Sequence, residues 1–410
     1  MTKVFLRPRP LAASEQGDDL VRYEFNEASK DLHVVPSAKS FKHFAGILSP
    51  DNTQAYAQAI RPLLPEILAG RSGCCFAYGH TNSGKTHTIF GYGEQPGMYK
   101  QAVDELFASM DDGLLMQVRF YELYNGKVYD LLNNRQPGFV REDADGVIHV
   151  RSETTMGPNG EVLTQSLHAV YGDSADFVLD VIRSSAKSRA EGTSELHSQS
   201  SRSHAVLELE IVSSELARAR QDVVVAKSKV VPLGKARDDT YIAIQMKTIT
   251  MGPDGKYVHT GVAIPKEDTE RLEELERQVQ AAESVVKAAE ARVDAAKPST
   301  TGGMLVFVDL AGAEYTGEGL KRNSAEMREA KEINVSLLAL KECIRAQAIP
   351  GRTPYRNSKL TMLLKGHLDA ANTPRTVMIA NVSSSAALLS KATNTIKYAA
   401  LVADAFQGAF

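Results

Sequence analysis

Apolar residues along the first half of the chain recur with two different periods. From Lys3 to about Ser213, short apolar runs typical of strands are separated by longer stretches with the spacing of helices. This alternation indicates α/β layering around a central sheet. The predicted strands are Val4–Leu6, Gly73–Tyr78 and Leu115–Tyr121, and the predicted helices are Gln54–Leu68, Lys100–Ser109 and Ser174–Ala190.

The same pattern resumes at Gly303. The predicted elements there are the strands Met304–Leu310 and Thr376–Ile379 and the helices Ser324–Ala346, Ser358–Asp369 and Lys391–Ala405. We therefore assign residues 1–214 and 303–410 to one α/β domain, and residues 215–302 to an insertion within it.

The insertion carries apolar residues at spacings of three and four, the pattern of a helical seam. Pro232 is expected to end a first helix, and a β-hairpin over Tyr241–Ile264, turning at Gly252–Gly255, is expected before the second. The second helix, about 30 residues at 1.5 Å each, would extend roughly 45 Å. A surface helical hairpin, a partner-binding arm and a dimerisation element are three open interpretations. The seam residues are Leu216, Ala219, Val223, Ala226 and Val230, then Leu272, Leu275, Val279, Ala282, Val286, Ala289, Val293 and Ala296.

Composition and charge exclude several classes of protein. The 410 residues are 43% apolar and 24% charged, and the net charge of −3 argues against a chain dedicated to nucleic acid. No apolar run reaches the roughly 18 residues of a membrane span, and Met1–Gly17 lacks a signal-peptide core, so we expect a cytosolic protein without a membrane partner. Cys74, Cys75 and Cys343 fit no metal-ligand spacing, and we expect them to be reduced packing residues.

One segment matches the phosphate-binding loop G-x-x-x-x-G-K-[ST]: it follows an apolar strand and opens a helix. Glycines in such a loop let backbone N–H groups surround phosphate oxygens. Lys85 is expected to reach the β and γ phosphates, and the Thr86 hydroxyl to ligate Mg²⁺, so the predicted cofactors are ATP or ADP with Mg²⁺. The predicted nucleotide-binding residues of this segment are Gly79, His80, Thr81, Asn82, Ser83, Gly84, Lys85, Thr86 and His87.

A second, acidic element supports the same chemistry. An apolar strand ends in Asp309, where P-loop enzymes place the carboxylate that holds the water shell of magnesium. Gly312 follows and can offer its N–H to a γ-phosphate. Together with the loop at Gly79, this strand predicts a nucleotide-hydrolysing enzyme.

Five segments, taken together, resemble the kinesin motor domain. Arg7, Arg9 and Pro10 resemble the strand end that packs on adenine, and Phe76–Thr88 resembles the phosphate loop. Ser200–His204 resembles the first switch, and Asp309–Glu314 resembles the second. Tyr355–Thr361 resembles the microtubule-facing turn before the fifth helix. The resemblance covers about residues 3–213 and 303–403. It implies a P-loop NTPase fold, with a central, mostly parallel mixed sheet flanked by helices on both faces, to which this chain adds an inserted helical hairpin.

The resemblance also implies roles for the switch residues. Ser200 and Ser201 would contact the magnesium shell and order the attacking water, because hydroxyls both donate and accept hydrogen bonds. Arg202 and Glu314 correspond to the ion pair that closes the two switches over the γ-phosphate. The implied catalytic residues are Ser200, Ser201, Arg202, Gly312 and Glu314, and the implied metal-binding residues are Thr86, Ser201 and Asp309.

The implied function is a microtubule-stimulated ATPase that couples ATP hydrolysis to movement or to remodelling of microtubule ends. Its partner would be tubulin, which is acidic, and its location the cytoplasmic microtubule cytoskeleton, with the spindle included. We expect a monomeric chain, with the insertion as the place for any further partner. The implied microtubule-binding residues are Lys321, Arg322, Arg328, Lys331, Arg356 and Lys359.

Three departures from the family pattern leave other functions open. His197 stands where the family usually has Asn, His80 where it has Gln, and Ala313 where it has Ser. The first alternative is therefore a binding module for microtubules or tubulin that hydrolyses ATP slowly. The second is a P-loop ATPase acting on another polymer or on nucleic acid.

Two features bear on the type of output. The triplet Lys341–Cys343 resembles the internal-motor branch of the family, which removes tubulin from microtubule ends. The Lys-Val-Asp loop of that branch is not visible between Asp31 and Phe41. Movement and end remodelling therefore both stay open.

Overall fold

A computed structural model describes residues 2–15, 19–35, 37–93, 95–143, 146–151, 155–156, 162–163, 167–191, 201–251, 257–296, 302–313, 324–347, 353–368 and 375–407. The chain divides into two compact units. The first comprises Met1–Ser152, Ser166–Val212 and Ser299–Phe410, and the second Glu153–Gln165 and Ser213–Pro298. The sequence pattern did not assign residues 153–165 to the second unit.

The strands, in chain order, are β1 (Thr2–Arg9), β2 (Arg22–Asn26), β3 (Asp31–Val35), β4 (Lys39–Phe41), β5 (Gly46–Ile47), β6 (Ser72–Gly79), β7 (Gly91–Tyr92), β8 (Gln95–Pro96), β9 (Leu114–Tyr124), β10 (Lys127–Asp130), β11 (Gln136–Glu142), β12 (Ile148–Arg151), β13 (Thr155–Met156), β14 (Val162–Leu163), β15 (Val170–Gly172), β16 (His204–Ser213), β17 (Ile249–Met251), β18 (Tyr257–His259), β19 (Met304–Asp309) and β20 (Arg375–Ser383). The helices are α1 (Asn52–Ala59), α2 (Leu64–Leu68), α3 (Lys85–Phe90), α4 (Met98–Ser109), α5 (Ala175–Glu191), α6 (Ser214–Thr248), α7 (Lys266–Ala295), α8 (Ser324–Gln347), α9 (Lys359–Leu363), α10 (Lys365–Leu368) and α11 (Leu389–Gln407).

A mixed, 11-stranded sheet forms the centre of the first unit. Its order is β12-β11-β10-β9-β16-β19-β6-β20-β1-β5, and β15 pairs with β9 outside this path. The neighbours β19, β6, β20, β1 and β5 run parallel, whereas β16 is antiparallel to β19 and β9 to β12 alternate in direction. Ala77 of β6 is in register with Asp309 of β19, so the carboxyl ends of these two strands lie side by side.

The two faces of this sheet carry separate hydrophobic cores. Successive residues of a strand point to opposite faces, so Cys74 packs in one core and Cys75 in the other. Helices α8, α9 and α11 cover the first face, and α1, α2, α4 and α5 cover the second. The cysteines are buried free thiols, and burial raises the pKa of Cys74 to about 12, which keeps it unreactive. The predicted fold class, a mixed sheet between two layers of helices, is confirmed.

Two predicted helices are each divided in the structure. The predicted helix Gln54–Leu68 forms α1, a 3₁₀ turn and α2. Pro62 and Pro65 lack the amide donor that a continuous helix requires. The predicted helix Ser358–Asp369 forms α9 and α10, which Leu364 separates.

The second unit contains the long helices α6 and α7, packed antiparallel. The ion pairs between them include Asp222–Arg292 at 3.1 Å, Lys227–Glu290 at 2.9 Å and Lys247–Asp268 at 2.6 Å. As the residue number of the α6 partner increases, the residue number of its α7 partner decreases, as expected for antiparallel helices. Every residue of the predicted seam is buried or half-buried, as a helical hairpin requires. Among the helices of the described residues, none combines the length and the apolar character that crossing a membrane requires.

Pro232 lies inside α6, so the prediction that it ends the first helix is wrong. The seam continues beyond it through Ala236, Thr240 and Ile244, which are half-buried or buried. Packing against α7 stabilises the helix across the position where proline removes a hydrogen bond. The helix extends to Thr248, and the predicted hairpin is reduced to β17 and β18, which pair antiparallel. The predicted turn at 252–255 lies outside the described residues.

Candidate functional site

The phosphate loop connects β6 to α3, as its motif predicts. β6 ends at Gly79 and α3 begins at Lys85. Between them, Asn82 and Gly84 have positive φ angles of 62° and 95°, a conformation that costs glycine nothing. A Cβ atom at Gly79 would lie 2.3 Å from the carbonyl oxygen of Asn381 on β20, so only glycine fits there. The loop therefore lies directly against the carboxyl end of a central strand.

Three polar side chains of the loop, those of His80, Ser83 and Lys85, are buried. Lys85 Nζ donates to the carbonyl oxygens of Gly79 at 3.1 Å and His80 at 2.9 Å. The Ser83 hydroxyl is fully buried and has no hydrogen-bond partner among the described residues. A buried ammonium group and an unsatisfied hydroxyl, both on a loop of backbone amides, suit an anionic ligand such as a phosphate.

Thr86 and Asp309 meet at the end of the loop. Thr86 Oγ1 donates to Asp309 Oδ2 at 2.8 Å, while Oδ1 of the same carboxylate is buried without a hydrogen-bond partner in the described part of the chain. The described residues contain no cluster of three or more His, Cys, Asp or Glu side chains that could hold a metal ion. Mg²⁺ is commonly held by one or two protein oxygens, waters and substrate phosphates. The Thr86 and Asp309 oxygens fit that arrangement.

Arg189, in the last turn of α5, is a residue of this site that the sequence reasoning missed. Its Nη1 lies 3.0 Å from Asp309 Oδ2, and its Nε lies 3.5 Å from Glu122 Oε1. All three side chains are at most 4% exposed. The guanidinium therefore balances two buried carboxylates and fixes the orientation of Asp309. Arg189 and Asp309 are 120 positions apart, and neither the motif nor the periodicity connects them.

The two switch segments lie against the phosphate loop and against each other. The N–H of Gly312 donates to the carbonyl oxygen of Ser201 at 2.8 Å, and the N–H of Ala313 donates to that of Gly79 at 3.2 Å. A Cβ atom at Gly312 would lie 2.9 Å from the backbone N and Cα atoms of Thr81, so glycine is required for this approach. The Gly312 N–H was expected to reach a γ-phosphate, but in this structure it is bonded to Ser201.

Arg202 of the first switch forms an ion pair with α8. Its Nη1 lies 2.6 Å from Glu329 Oε2, and the two side chains are 19% and 11% exposed. The predicted partner, Glu314, lies outside the described residues, as do Ser200 and His197. The contact with Glu329 therefore ties the first switch to the helix that carries part of the predicted microtubule-binding face.

His204 makes a second connection between the switches and α8. Its Nδ1 accepts from the Ala311 N–H at 3.0 Å, so Nε2 carries the proton and donates to the Ser336 hydroxyl at 2.9 Å. Ser336 in turn donates to the Ile333 carbonyl oxygen at 2.8 Å. Burial lowers the pKa of this imidazole to about 3, so it stays neutral near pH 7. Its place in the first-switch motif was visible in the sequence, but its link to α8 was not.

The buried imidazole of His204 is expected to make the protein acid-sensitive. Its folded pKa lies below the ordinary value of about 6.5, so only the unfolded chain takes up a proton as the pH falls from 6.5 towards 3. At pH 5 this group alone should lower the free energy of unfolding by about 2 kcal/mol relative to pH 7. Urea unfolding at both pH values of the wild type and His204→Asn measures the contribution as the difference in pH dependence.

The exposed His33 provides the control, because His33→Asn removes a histidine from strand β3 without touching the buried cluster. This variant should keep the pH dependence of the wild type. Equal pH dependence in His204→Asn and the wild type would contradict the neutral, buried state assigned to His204.

Arg7 is held by protein acceptors, and its adenine contact stays a prediction. Its guanidinium donates to the Ser49 carbonyl oxygen at 3.1 Å and to Thr88 Oγ1 at 2.7 Å, and the residue is 3% exposed. Burial lowers its pKa to about 10. The side chain is thus engaged inside the protein, where it joins β1 to α3.

Arg9 and Pro10 remain beside the loop. Arg9 Nε donates to the Asn82 carbonyl oxygen at 2.7 Å, and its guanidinium pairs with Glu15 at 2.5 Å. That ion pair lowers the pKa of Glu15 to about 2. Pro10 is exposed. These two residues border the phosphate loop and stay candidates for nucleotide contact, together with His87, whose Nε2 lies 2.8 Å from Gln95 Oε1.

The predicted microtubule-binding residues that the structure describes lie on α8 and around the start of α9. Arg328 and Lys331 are exposed on α8. Arg356 pairs with Glu142 at 2.6 Å, and Lys359 donates to a carbonyl oxygen of the β9–β10 turn. The positive charge of Arg356 is therefore partly offset, and α8 carries the more accessible cations of this face. Lys321 and Arg322 lie outside the described residues.

Comparisons with known proteins identify the family of this chain. A family model described as the kinesin motor domain matches residues 7–237 and 281–404. The chain is 28% identical over 363 residues to kinesin-like protein KIF24 of Homo sapiens, covering 87% of this chain and 19% of that protein. It is 28% identical over 422 residues to kinesin-like protein KIN-13B of Arabidopsis thaliana, covering 99% of this chain and 48% of that protein.

The fold is also similar to a solved structure titled as that of a fast kinesin, with implications for its ATPase mechanism and interactions with microtubules. The TM-score is 0.64 at 22% identity, with 98% of this chain and 90% of that chain covered. The chain belongs to the kinesin motor domain family. It spans less than half the length of the two curated relatives named above.

Proposed function

We propose that the chain is a magnesium-dependent ATPase whose site is formed by the phosphate loop and the carboxyl end of β19. The contact between Thr86 and Asp309 carries this proposal, because it joins a hydroxyl to a carboxylate whose other oxygen is buried and unpartnered in the described structure. Lys85 would bind the β and γ phosphates of ATP, and the Thr86 hydroxyl and the Asp309 carboxylate would hold Mg²⁺. Bound Mg²⁺ would neutralise charge on the phosphate oxygens.

The switch residues would respond to the nucleotide. Gly312 would exchange its bond with Ser201 for a γ-phosphate, and Ser201, with Ser200, would order the attacking water. Arg202 would move from Glu329 to its sequence-predicted partner in the second switch. That exchange would release one connection between the first switch and α8 and leave the one through His204.

We further propose that microtubules stimulate this ATPase through α8 and the turn before α9. Exposed basic residues on that side suit the acidic surface of tubulin. Arg202 and His204 join α8 to the switch segments, so an event on this helix has a direct structural route to the nucleotide site. The proposed output is movement or end remodelling within the microtubule cytoskeleton.

ATP turnover with and without microtubules tests both proposals. We expect slow basal hydrolysis that requires Mg²⁺ and rises steeply with microtubule concentration. Mg²⁺-dependent hydrolysis without stimulation, in a chain that does not sediment with microtubules, would remove the microtubule proposal and leave the ATPase. Absence of nucleotide binding would remove both.

A microtubule-binding module that hydrolyses ATP slowly is the second candidate. It is favoured by Ala313, which lacks the hydroxyl usual in the family, and by the bond from Gly312 to Ser201, which must open before that N–H can bind a phosphate. His80 adds a buried ring whose pKa is lowered to about 4 by burial. Tight microtubule binding without any stimulation of ATP turnover by microtubules would favour this candidate over the microtubule-stimulated ATPase.

Removing two cations from α8 is expected to weaken microtubule binding. Arg328→Ala with Lys331→Ala should raise the dissociation constant about 10-fold at low salt, since exposed charges act over about 10 Å at 0.1 M salt, and the loss should shrink as salt rises. Basal ATPase should change little. Co-sedimentation over a salt series measures the effect.

Arg183→Ala with Lys187→Ala is the matched control for this prediction. These two exposed basic residues lie on α5, which packs on the other face of the sheet. The control should bind microtubules like the wild type. Equal losses in both double variants would mean that net charge, and not the α8 face, determines binding.

A further inference from the structure

The second unit concentrates exposed apolar side chains at one end. We call the described residues 241–251 and 257–268 the tip; they comprise the end of α6, the strands β17 and β18 and the start of α7. Eight of the 23 exposed large apolar side chains in the described residues lie there, with exposed fractions between 46% and 65%. They are Tyr241, Ile242, Met246, Met251, Tyr257, Val258, Val262 and Ile264. Such clustering marks an interaction surface, because apolar residues scattered over a surface show no preference for one segment.

The same tip presents an open sheet edge. β17 and β18 form a two-stranded sheet, and no third strand joins it in the described part of the chain. Every residue of β18 is exposed, and so are Thr260 to Pro265, which follow it. A two-stranded hairpin is marginally stable in water, and its free edge is a template for another strand.

We propose that the tip binds the tip of a second copy of this chain. The β18 edges of the two copies would pair antiparallel around a two-fold axis and give a four-stranded sheet. Exposed apolar side chains at and after β18, including Tyr257 and Val262, would contact the other copy and become partly buried. This departs from the sequence-based expectation of a monomer and follows one of the three interpretations of the insertion.

The apolar area of the tip sets an upper limit on such a contact. Eight side chains, each about half exposed, present on the order of 800 Å² per copy, which is what one partner contributes to a standard interface. Successive residues of β18 point to opposite faces of the hairpin, so pairing of the β18 edges would bury the part of this area that lies beside the new pair of strands. The expected association is therefore a reversible one.

The charge of the tip also favours a second copy over other partners. The tip contains two lysines, Lys247 and Lys266, and two acidic residues, Glu267 and Asp268, so two tips do not repel each other. An acidic polymer or a lipid surface would be expected to select a basic tip. Lys247 and Asp268 of the tip form an ion pair with each other at 2.6 Å.

Sedimentation of the full chain across the micromolar range tests the proposal. The wild type should show a monomer–dimer equilibrium, and Tyr257→Lys with Val262→Lys should raise the dimer dissociation constant at least 10-fold, because each copy would place two charges in the interface. A second variant, in which a short Gly/Ser turn replaces residues 249–265, should be monomeric. Helix content by circular dichroism, together with nucleotide binding, checks that both variants are folded.

Val224→Lys with Val285→Lys is the matched control, since both valines are exposed on the helices of the same unit but lie outside the tip. This variant should dimerise like the wild type. A wild type that stays monomeric would overturn the proposal, as would a dimer that survives both tip variants or that the control disrupts equally. If the wild type is monomeric and the tip variants bind microtubules less well, the tip contacts the polymer and the self-association proposal is wrong.

Discussion

Replacing Lys85 with alanine is expected to weaken ATP binding by about 100- to 1,000-fold, or about 3–4 kcal/mol. The ammonium group would make charge-assisted hydrogen bonds to two phosphates, each worth about 1.5–3 kcal/mol. In this structure Lys85 is 5% exposed and donates to two carbonyl oxygens of its own loop, so it is already held within the loop. The expected order of losses is ATP, then ADP, then AMP, which lacks both phosphates.

Calorimetric titration with the three nucleotides measures these losses. Lys100→Ala is the control, because that lysine is a half-exposed partner of Asp104 on α4 and should leave nucleotide affinity unchanged. The melting temperature of Lys85→Ala should stay close to that of the wild type. Equal losses for all three nucleotides would mean that the loop had collapsed, and unchanged ATP affinity would refute the phosphate-loop assignment.

Replacing Arg189 with methionine is expected to lower the free energy of unfolding by about 3–5 kcal/mol. Methionine fills a similar volume but leaves the buried carboxylate of Asp309 without its cation. Glu122 would keep its second partner, Arg135, at 2.7 Å, so the larger part of the loss should come from Asp309. Urea unfolding at pH 7 measures the change.

Two further variants make this test specific. Arg183→Met, on the same helix, breaks an exposed pair with Asp180 and should cost less than about 1 kcal/mol. Asp309→Asn combined with Arg189→Met should recover part of the stability, because the stranded charge is then removed. If Arg183→Met costs as much as Arg189→Met, the helix and not the buried ion pair is the source of the loss.

Much of the nucleotide site was predictable because its signals are local. The phosphate loop is one continuous segment, and the requirement for glycine at Gly79 follows from a backbone approach that any such loop must make. Asp309 was predictable for a similar reason, since it ends an apolar strand. The pairing of Thr86 with Asp309 then follows from placing two parallel strands side by side.

The connections to α8 could not be predicted from the sequence. The family resemblance predicted an ion pair between Arg202 and Glu314 of the second switch. In the structure Arg202 pairs with Glu329 of α8. In the sequence, His204 was only a part of the first-switch motif. In the structure it is buried and hydrogen-bonded to Ala311 and Ser336. Arg7 matched a nucleotide-binding pattern, yet its side chain is buried among protein acceptors. Each outcome depends on residues far away in the chain, whose proximity only folding creates.

The amino-acid sequence by itself determined the α/β layering, the phosphate loop, the acidic end of β19 and the helical seam of the insertion, because each is written in the spacing of neighbouring residues. Tertiary structure alone decided that α6 continues through Pro232, since packing against α7 outweighs the lost hydrogen bond. It also decided that Arg189 holds Asp309 across 120 positions and that the tip exposes an apolar edge. The spacing of neighbouring residues determines which helices and strands form. Burial and charge balance between residues distant in the chain determine which side chains those elements bring together.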